Sequence, residues 1–237
     1  MNTKRNRIGF TLVELLVVIG IIAVLVGILL PTLAKVRESA RRADCASRLR
    51  QLAAAVHLYA NENKGKIPPG YRDNNTEEHT IWMSQEVLDS FLKKVQVYKM
   101  FACPNLEDTQ PNKPLSNIGW VLGYSYLGGH ELLRKVVDPA DWKSPLKMGE
   151  KGLYSQTAPL FCDFNDWSPT DKWTAIAHPR HGAGGFYEVV AGQTPVDRGS
   201  AGGNVAYVDG SVVWKNIGDM TDHQTYSGSK TKYRGMW

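Results

Sequence analysis

The longest uninterrupted apolar stretch of the chain lies near its start, from Phe10 to Leu30, and Glu14 is its one ionisable residue. As an α-helix this stretch would be about 31 Å long, which matches the hydrocarbon thickness of a bilayer. A basic segment with Lys4, Arg5 and Arg7 precedes it. The pattern therefore predicts a membrane-spanning helix behind a short basic leader.

A cleaved signal peptide would also have a basic head and an apolar middle. Its apolar region would be roughly 7–15 residues long and would end in small residues before the cleavage site. Here the run is longer and closes on Leu29, Leu30, Pro31 and Thr32, which argues against that interpretation. Glu14 then remains as an intramembrane carboxylate. A charged group costs about 2.5–3.5 kcal/mol at the bilayer centre, so a carboxylate in such a segment by default indicates a function.

Beyond Pro31 the pattern becomes amphipathic. Apolar residues recur at helical spacing, with charged residues on the other faces. The apolar positions are Leu33, Val36, Ala40, Ala43, Leu49, Leu52, Val56 and Tyr59. Gly65 and the prolines at 68 and 69 are stop signals. We therefore predict one helix from about Phe10 to Asn63, membrane-spanning over residues 10–31 and amphipathic over residues 32–63.

The mixture of helical and strand patterns in residues 64–237 predicts a globular α+β head. Residues 81–94 have helical periodicity, whereas later segments alternate in the manner of strands. Short strands are predicted from Ile118 onwards, at residues 118–129, 132–137, 160–164 and 173–177. The clearest hairpin spans residues 202–216, where Asp209-Gly210 is a two-residue sequence that favours a type I′ turn.

Composition and charge narrow the range of functions. The 237 residues, 43% of them hydrophobic, allow one membrane segment and one modest domain. The formal charge of +5 includes three cations of the leader, so the rest of the chain is almost balanced. Nucleic-acid binding is therefore not expected.

The three cysteines have no metal-ligand spacing. An oxidising exterior would permit one disulfide. Cys103 and Cys162 both lie in the head, whereas Cys45 lies in the predicted helix, so a Cys103–Cys162 bond is the predicted pairing. Three reduced, buried thiols are the alternative.

Other candidate chemistry is sparse. His57 is predicted at the surface of the long helix, and no Cys, Asp or Glu stands at ligand spacing near His178 and His181, so no metal site is predicted there. Asp163, Asn165 and Asp166 form a short run of oxygen ligands that loosely resembles a calcium loop, but no metal or other cofactor is expected. No hydrolase, phosphate-loop or zinc-protease motif occurs, so an enzyme is not expected. The 7 Trp and 10 Tyr would suit a glycan-binding surface or, more commonly, a core.

The segment K-R-N-R-I-G-F-T-L-V-E resembles the cleavage and methylation segment of type IV prepilins and type II secretion pseudopilins. In that family a membrane-embedded prepilin peptidase cuts after the glycine, here Gly9, and methylates the new terminal amine, here on Phe10. The resemblance makes Glu14 the assembly carboxylate. It makes Pro31 the proline at which many members bend or melt their long helix.

The resemblance implies a lollipop-like α+β fold in which the second half of the helix packs across an antiparallel sheet. It implies a structural subunit that crosses the inner membrane once, with its head in the periplasm, until it joins a helical homo-oligomer. That filament would be a surface pilus or a periplasmic pseudopilus built by pilus or secretion machinery. The alternative is a membrane-anchored carbohydrate-binding or adhesion protein that does not polymerise.

Two further features resemble a group of large pilin-like proteins known mainly from planctomycete and verrucomicrobial genomes. They are Cys103-Pro104 and the Asp209-Gly210 hairpin, which in that group comes after a His and nine intervening residues. Here Gly199 occupies the position of that His, the nearest candidate is His181, and residues 183–201 look like an insertion. Asp209 is therefore predicted to be a turn residue.

Overall fold

The computed structural model describes residues 11–70, 72–73, 77–83, 87–90, 98–106, 114–115, 119–136, 142–149, 158–182, 184–226, 228 and 233–237. The chain divides into two compact units between Ala40 and Arg41. Gly9 and Phe10, at which processing is predicted, lie outside the described residues.

Helix α1 runs from Leu12 to Glu62 and confirms the predicted long helix. It ends where Lys64 and Gly65 adopt left-handed φ angles of 55° and 79°. The Gly65 N–H donates to the Ala60 carbonyl at 2.8 Å, which satisfies one of the carbonyls left open at a helix end. The predicted stop signal therefore acts through backbone geometry.

In the first unit, the apolar side chains of α1 between Leu12 and Leu30 are all exposed. Within the described residues, α1 is the one helix long and apolar enough to cross a membrane. An exposed apolar surface of this extent has no counterpart on an ordinary soluble domain. The length and composition of the helix are those of a membrane anchor.

The second unit is built on antiparallel sheets. The strands of the main sheet are β6 (Tyr124–Tyr126), β7 (Pro159–Asp163), β10 (His178–Pro179), β12 (Ser200–Tyr207) and β13 (Val212–Asn216). They lie in the order β10-β12-β7-β6, and β13 also pairs with β12. The strands of a second sheet are β8 (Asp166–Trp167), β9 (Trp173–Ile176), β11 (Gly185–Glu188), β14 (Asp222–Gln224) and β15 (Arg234–Met236). They lie in the order β11-β9-β8-β15-β14.

Two smaller sheets complete the unit. One contains β3 (Trp82–Met83), β4 (Pro114–Leu115) and β5 (Gly119–Val121); the other pairs β1 (Arg72–Asp73) with β2 (Glu77–Glu78). Short helical segments are α2 (Leu133–Val136) and the 3-10 helices Tyr98–Phe101 and Ile217–Asp219. The α+β fold class is thus confirmed.

The core of the second unit lies between α1 and the main sheet. The buried residues of the helix lie mostly three or four positions apart; they are Cys45, Leu49, Leu52, Ala53, Ala55, Val56 and Ala60. All but Ala60 belong to one apolar cluster with Tyr124 and Tyr126 of β6, Phe161 of β7 and Ala206 of β12. The predicted packing of the second half of the helix on an antiparallel sheet is therefore confirmed.

Two predicted elements differ from the structure. The helix predicted from Ile81 is wrong at its start, because Trp82 and Met83 form β3 and pair with Val121 and Trp120, although residues 87–90 are helical. The strand predicted at 132–137 is instead helix α2. The carboxylate of Glu78 accepts hydrogen bonds from the Leu132 and Leu133 N–H groups at 2.9 and 3.0 Å, which favours a helix start there.

The β12–β13 hairpin is confirmed, but its turn is not type I′. A type I′ turn needs positive φ at both central residues, and among the described residues Lys64 is the one non-glycine with positive φ. Instead, the Gly210 N–H donates to Tyr207 O at 2.9 Å and Gly210 has φ 85°, as in a three-residue loop with a glycine bulge. Asp209 is a turn residue, since its carboxylate accepts the Ser211 N–H at 2.8 Å.

Candidate functional site

The start of α1 is a reciprocal capping arrangement between Thr11 and Glu14. The Glu14 carboxylate accepts the Thr11 N–H at 2.8 Å and the Thr11 hydroxyl at 2.7 Å. The Glu14 N–H in turn donates to the Thr11 hydroxyl oxygen at 3.3 Å. The T-x-x-E spacing is that of a capping box. Glu14 is thereby held at the first turn of α1, next to the predicted cleavage point.

Pro31 lies inside α1, and the helix continues through it. A proline there cannot donate a hydrogen bond to the carbonyl four residues earlier, which belongs to Gly27. The Thr32 hydroxyl donates to the Leu29 carbonyl at 2.8 Å and so adds a side-chain contact beside the missing bond. Pro31 therefore removes one backbone hydrogen bond from α1, which continues as one helix on both sides of it.

A second group of residues is buried in the other unit, and no spacing along the chain indicates it. One potential ligand atom from each of Cys45, Cys103, Asp163 and His178 lies within 4.8 Å of the other three. Cys45 Sγ is 3.1 Å from Cys103 Sγ, and His178 Nε2 is 3.1 Å from Asp163 Oδ2. We call these four residues the Cys-Asp-His cluster.

Four separate elements supply the Cys-Asp-His cluster. Cys45 lies on the buried face of α1, Cys103 follows the 3-10 helix, Asp163 ends β7 and His178 begins β10. Arg48, one turn beyond Cys45, donates to the Ala102 carbonyl at 2.6 Å and so holds the Cys103 segment against α1. The cluster is therefore produced by tertiary packing.

Glycine makes room for the segment that carries Cys103. A Cβ atom on Gly123 would lie 2.7 Å from the Cys103 backbone nitrogen, which no side chain tolerates without backbone movement. The Gly123 N–H also donates to the Phe101 carbonyl at 2.7 Å. A glycine is thus required between β5 and β6 for the segment to reach the cluster.

Hydrogen bonds orient the two non-sulfur members. Asp163 Oδ2 accepts the Asn204 backbone N–H at 2.6 Å and its side-chain N–H at 2.8 Å. His178 Nδ1 lies 3.1 Å from the Asn105 side-chain amide. The Trp214 ring packs edge-on to His178 at 5.5 Å, and the Arg42 guanidinium lies 4.2 Å from the Trp214 ring centre. Both groups are fixed in place and shielded from solvent.

The electrostatics disfavour a bare thiolate in this site. Contact with Cys103, and then burial, raises the pKa of Cys45 far above its usual value. A buried thiol of this kind is not a free nucleophile. It becomes a thiolate where a bound cation compensates the charge.

The predicted Cys103–Cys162 disulfide is absent from the structure, in which all three cysteines are free, buried thiols. The sulfur next to Cys103 belongs to Cys45. Cys162 precedes Asp163 on β7, and successive side chains of a strand point to opposite faces. Cys162 therefore lies in a different apolar cluster, with Leu127 and Trp142.

The other predicted ligands do not join the Cys-Asp-His cluster. His57 is half-buried on α1 and His181 is exposed. Asn165 bonds to Ser200 and Gly202, and Asp166 accepts the Ser125 hydroxyl at 3.3 Å. The oxygens of the suggested calcium loop thus have different partners. His178 was singled out with His181, but its partners Cys45, Cys103 and Asp163 are far away in sequence.

Aromatic side chains line the interior in the part of the chain whose burial is described. Each Trp and Tyr described there is buried or half-buried. Tyr124 and Tyr126 are fully buried, and Trp142 packs edge-on to Trp237 in the core. An exposed aromatic platform for glycans is therefore not formed by these residues.

Comparison with known proteins gives two matches that together cover almost the whole chain. Residues 4–30 match the prokaryotic N-terminal methylation motif. Residues 34–237 match a family described as a protein of unknown function (DUF1559). No solved structure matches the chain significantly.

One similar curated protein is the ComG operon protein 3 homolog of Bacillus licheniformis, which is 33% identical over 63 residues. The match covers 27% of this chain and 65% of that protein, so the chain spans less than two thirds of its length. The chain belongs to the DUF1559 family, and its prepilin-type methylation motif makes it a type IV pilin-like protein.

Proposed function

We propose that the protein is a structural subunit of a type IV pilus-like or type II secretion pseudopilus filament, and not an enzyme. The observation that carries this proposal is the capping arrangement of Glu14 at the start of an exposed apolar helix, within the segment that matches the methylation motif. A simple membrane anchor has no need of a carboxylate within its apolar segment, because the group makes insertion less favourable.

Prepilin peptidase is the first proposed partner. Cleavage after Gly9 would place a new amine on Phe10, immediately before the Thr11–Glu14 capping box. The chain would then remain in the inner membrane with its second unit in the periplasm. Other copies of this chain and the assembly machinery would be its later partners, in a periplasmic or surface filament.

Processing gives the first prediction. The mature chain is expected to begin at Phe10 and to carry a methyl group on that residue's amine. Intact mass and amino-terminal peptide analysis of protein purified from membranes measure both features. A peptidase-deficient host should yield the full chain from Met1 as the matched control. A chain that starts at Met1 in the normal host, or one cut after Leu30, would contradict the proposal.

The non-polymerising carbohydrate-binding anchor is the competing function. The described Trp and Tyr side chains are buried or half-buried, so none of them supports the exposed aromatic surface that motivated it. It also assigns no role to Glu14. The filament proposal therefore accounts for more of the molecule.

A further inference from the structure

We propose that the Cys-Asp-His cluster binds one divalent metal ion of the zinc type. This proposal goes beyond filament assembly and does not depend on it. The four side chains are buried, and their ligand atoms lie within 4.8 Å of one another. In a tetrahedral zinc shell, neighbouring ligand atoms are about 3.3–3.8 Å apart, so the group is already close to the required size.

The donor set selects the class of metal. Thiolate and imidazole ligands favour Zn²⁺, whereas Ca²⁺ and Mg²⁺ take oxygen ligands. Two thiolates, one carboxylate and one neutral imidazole around a divalent ion have a net charge of −1. That is the same charge as a Cys₃His zinc site, which is a common structural type. Four protein ligands with no exposed position indicate a structural ion.

Asp163 supplies an independent reason for a cation. Its Oδ2 atom accepts the two Asn204 bonds, but its Oδ1 atom is buried without a hydrogen-bond partner among the described residues. A buried carboxylate oxygen that lacks a partner is costly, and buried charges in proteins are paired or coordinate metals. A metal ion at the cluster would satisfy this oxygen.

The neighbours of the ligands resemble a second coordination shell. A zinc-bound His donates its other ring N–H to an acceptor, and His178 Nδ1 faces the Asn105 amide at 3.1 Å. The oxygen and nitrogen of an Asn side chain exchange places by a flip, so Asn105 is able to accept this bond when Nε2 binds the ion. Asn204 similarly fixes the other oxygen of Asp163.

The ion would join α1 to the rest of the second unit. Cys45 belongs to the helix, and the other three ligands belong to the sheet and its connections. Metal binding to such a site contributes directly to folding. Removal of the ion is expected to loosen residues 41–62 from the sheet.

The test is metal analysis of the full chain, purified in detergent under anaerobic conditions without chelators. The expected result is one zinc ion per chain and three reduced cysteines when the protein is denatured and the metal is removed. Cobalt exchange should give the absorption of a tetrahedral thiolate site. Cys103→Ala and His178→Gln should lower the metal content more than tenfold, whereas Cys162→Ala and His181→Gln should not change it. Asn105→Ala should weaken binding about 10–100-fold while all four ligands remain.

Two results would overturn the proposal. One is a Cys45–Cys103 disulfide in metal-free protein, found by non-reduced peptide mapping. The other is three free thiols with no uptake of added zinc or cobalt. If Cys103→Ala does not fold, the cobalt spectrum of the unmodified chain and the His178→Gln variant decide between these outcomes.

Discussion

Glu14→Val is expected to abolish filament formation while the protein remains in the membrane. The carboxylate is the one ionisable group between Phe10 and Leu30. Its removal should leave insertion unchanged or improve it by up to about 2.5–3.5 kcal/mol. The variant should therefore accumulate as membrane-bound subunits.

The physical reason is charge pairing between subunits in a medium of low dielectric constant. After cleavage, the amine of Phe10 can neutralise Glu14 of the same chain or of a neighbour. In a packed bundle of apolar helices, the amine and the carboxylate can pair at one axial offset between neighbouring helices. At other offsets the buried charge has no partner, which is unfavourable. Glu14 would thus determine the register of assembly, which apolar packing alone determines poorly.

Two further variants separate charge from helix capping. Glu14→Gln keeps an oxygen that can accept the Thr11 bonds but lacks the charge, so it should also fail to assemble. Thr11→Val removes the hydroxyl from the capping box but keeps the carboxylate, so it should still form filaments. Filament yield by electron microscopy, normalised to membrane protein, is the measurement. Normal filaments from Glu14→Val would show that the carboxylate has no assembly role.

A large pH effect is expected from His79. This residue is fully buried among the rings of Trp82, Tyr226 and Tyr233, with ring centres 5.1–5.6 Å away. Burial, and secondarily the charge of His130, lowers the pKa of His79 from 6.5 to about 3. His79 Nδ1 also accepts the Ile81 N–H at 3.3 Å, a bond that protonation of Nδ1 would break.

The direction of the effect follows from proton binding. Between pH 6.5 and about 3 the unfolded chain binds a proton at residue 79 that the folded chain does not, so acid destabilises the fold. From pH 7 to pH 5 this term should lower the free energy of unfolding by about 2 kcal/mol. Below pH 5 the free energy of unfolding should fall by about 1.4 kcal/mol more for each pH unit, down to about pH 3.

The measurement is urea unfolding of the full chain in detergent, followed by tryptophan fluorescence between pH 7 and pH 5. His79→Phe keeps an aromatic ring in the cluster and removes the titration, so its stability should fall about 2 kcal/mol less over this range. The exposed His181→Gln is the control and should follow the unmodified protein. If the free energy of unfolding changes equally with pH in His79→Phe and in the unmodified protein, His79 is not held neutral by the fold.

The long helix and the last hairpin were predictable because their signals are local. Apolar spacing and the stop at Gly65 define α1, and Asp209-Gly210 marks the turn. The turn type was missed because it depends on φ at Asp209, which the residue pair does not determine. The strand at Trp82 was missed because its partner strand lies at Trp120 and Val121, far along the chain.

The Cys-Asp-His cluster was not predictable from spacing. Its members come from α1, the Cys103 segment, β7 and β10, and only packing of the helix on the sheet brings them together. Because side chains alternate along β7, Asp163 faces the side of Cys103 and Cys162 faces the other side. The predicted Cys103–Cys162 pairing did not take this alternation into account. The sequence identified His178 and Cys103 separately but had no means of joining them.

Assembly itself is tested most directly on material sheared from cells and separated from membranes by centrifugation. Thin filaments are expected by electron microscopy, and mass spectrometry of that fraction should show this chain beginning at methylated Phe10. Filaments confined to the periplasm would appear in the same assay after gentle release of the outer envelope. Processed protein that is abundant in membranes but absent from every filament fraction would show that this chain is not a filament subunit.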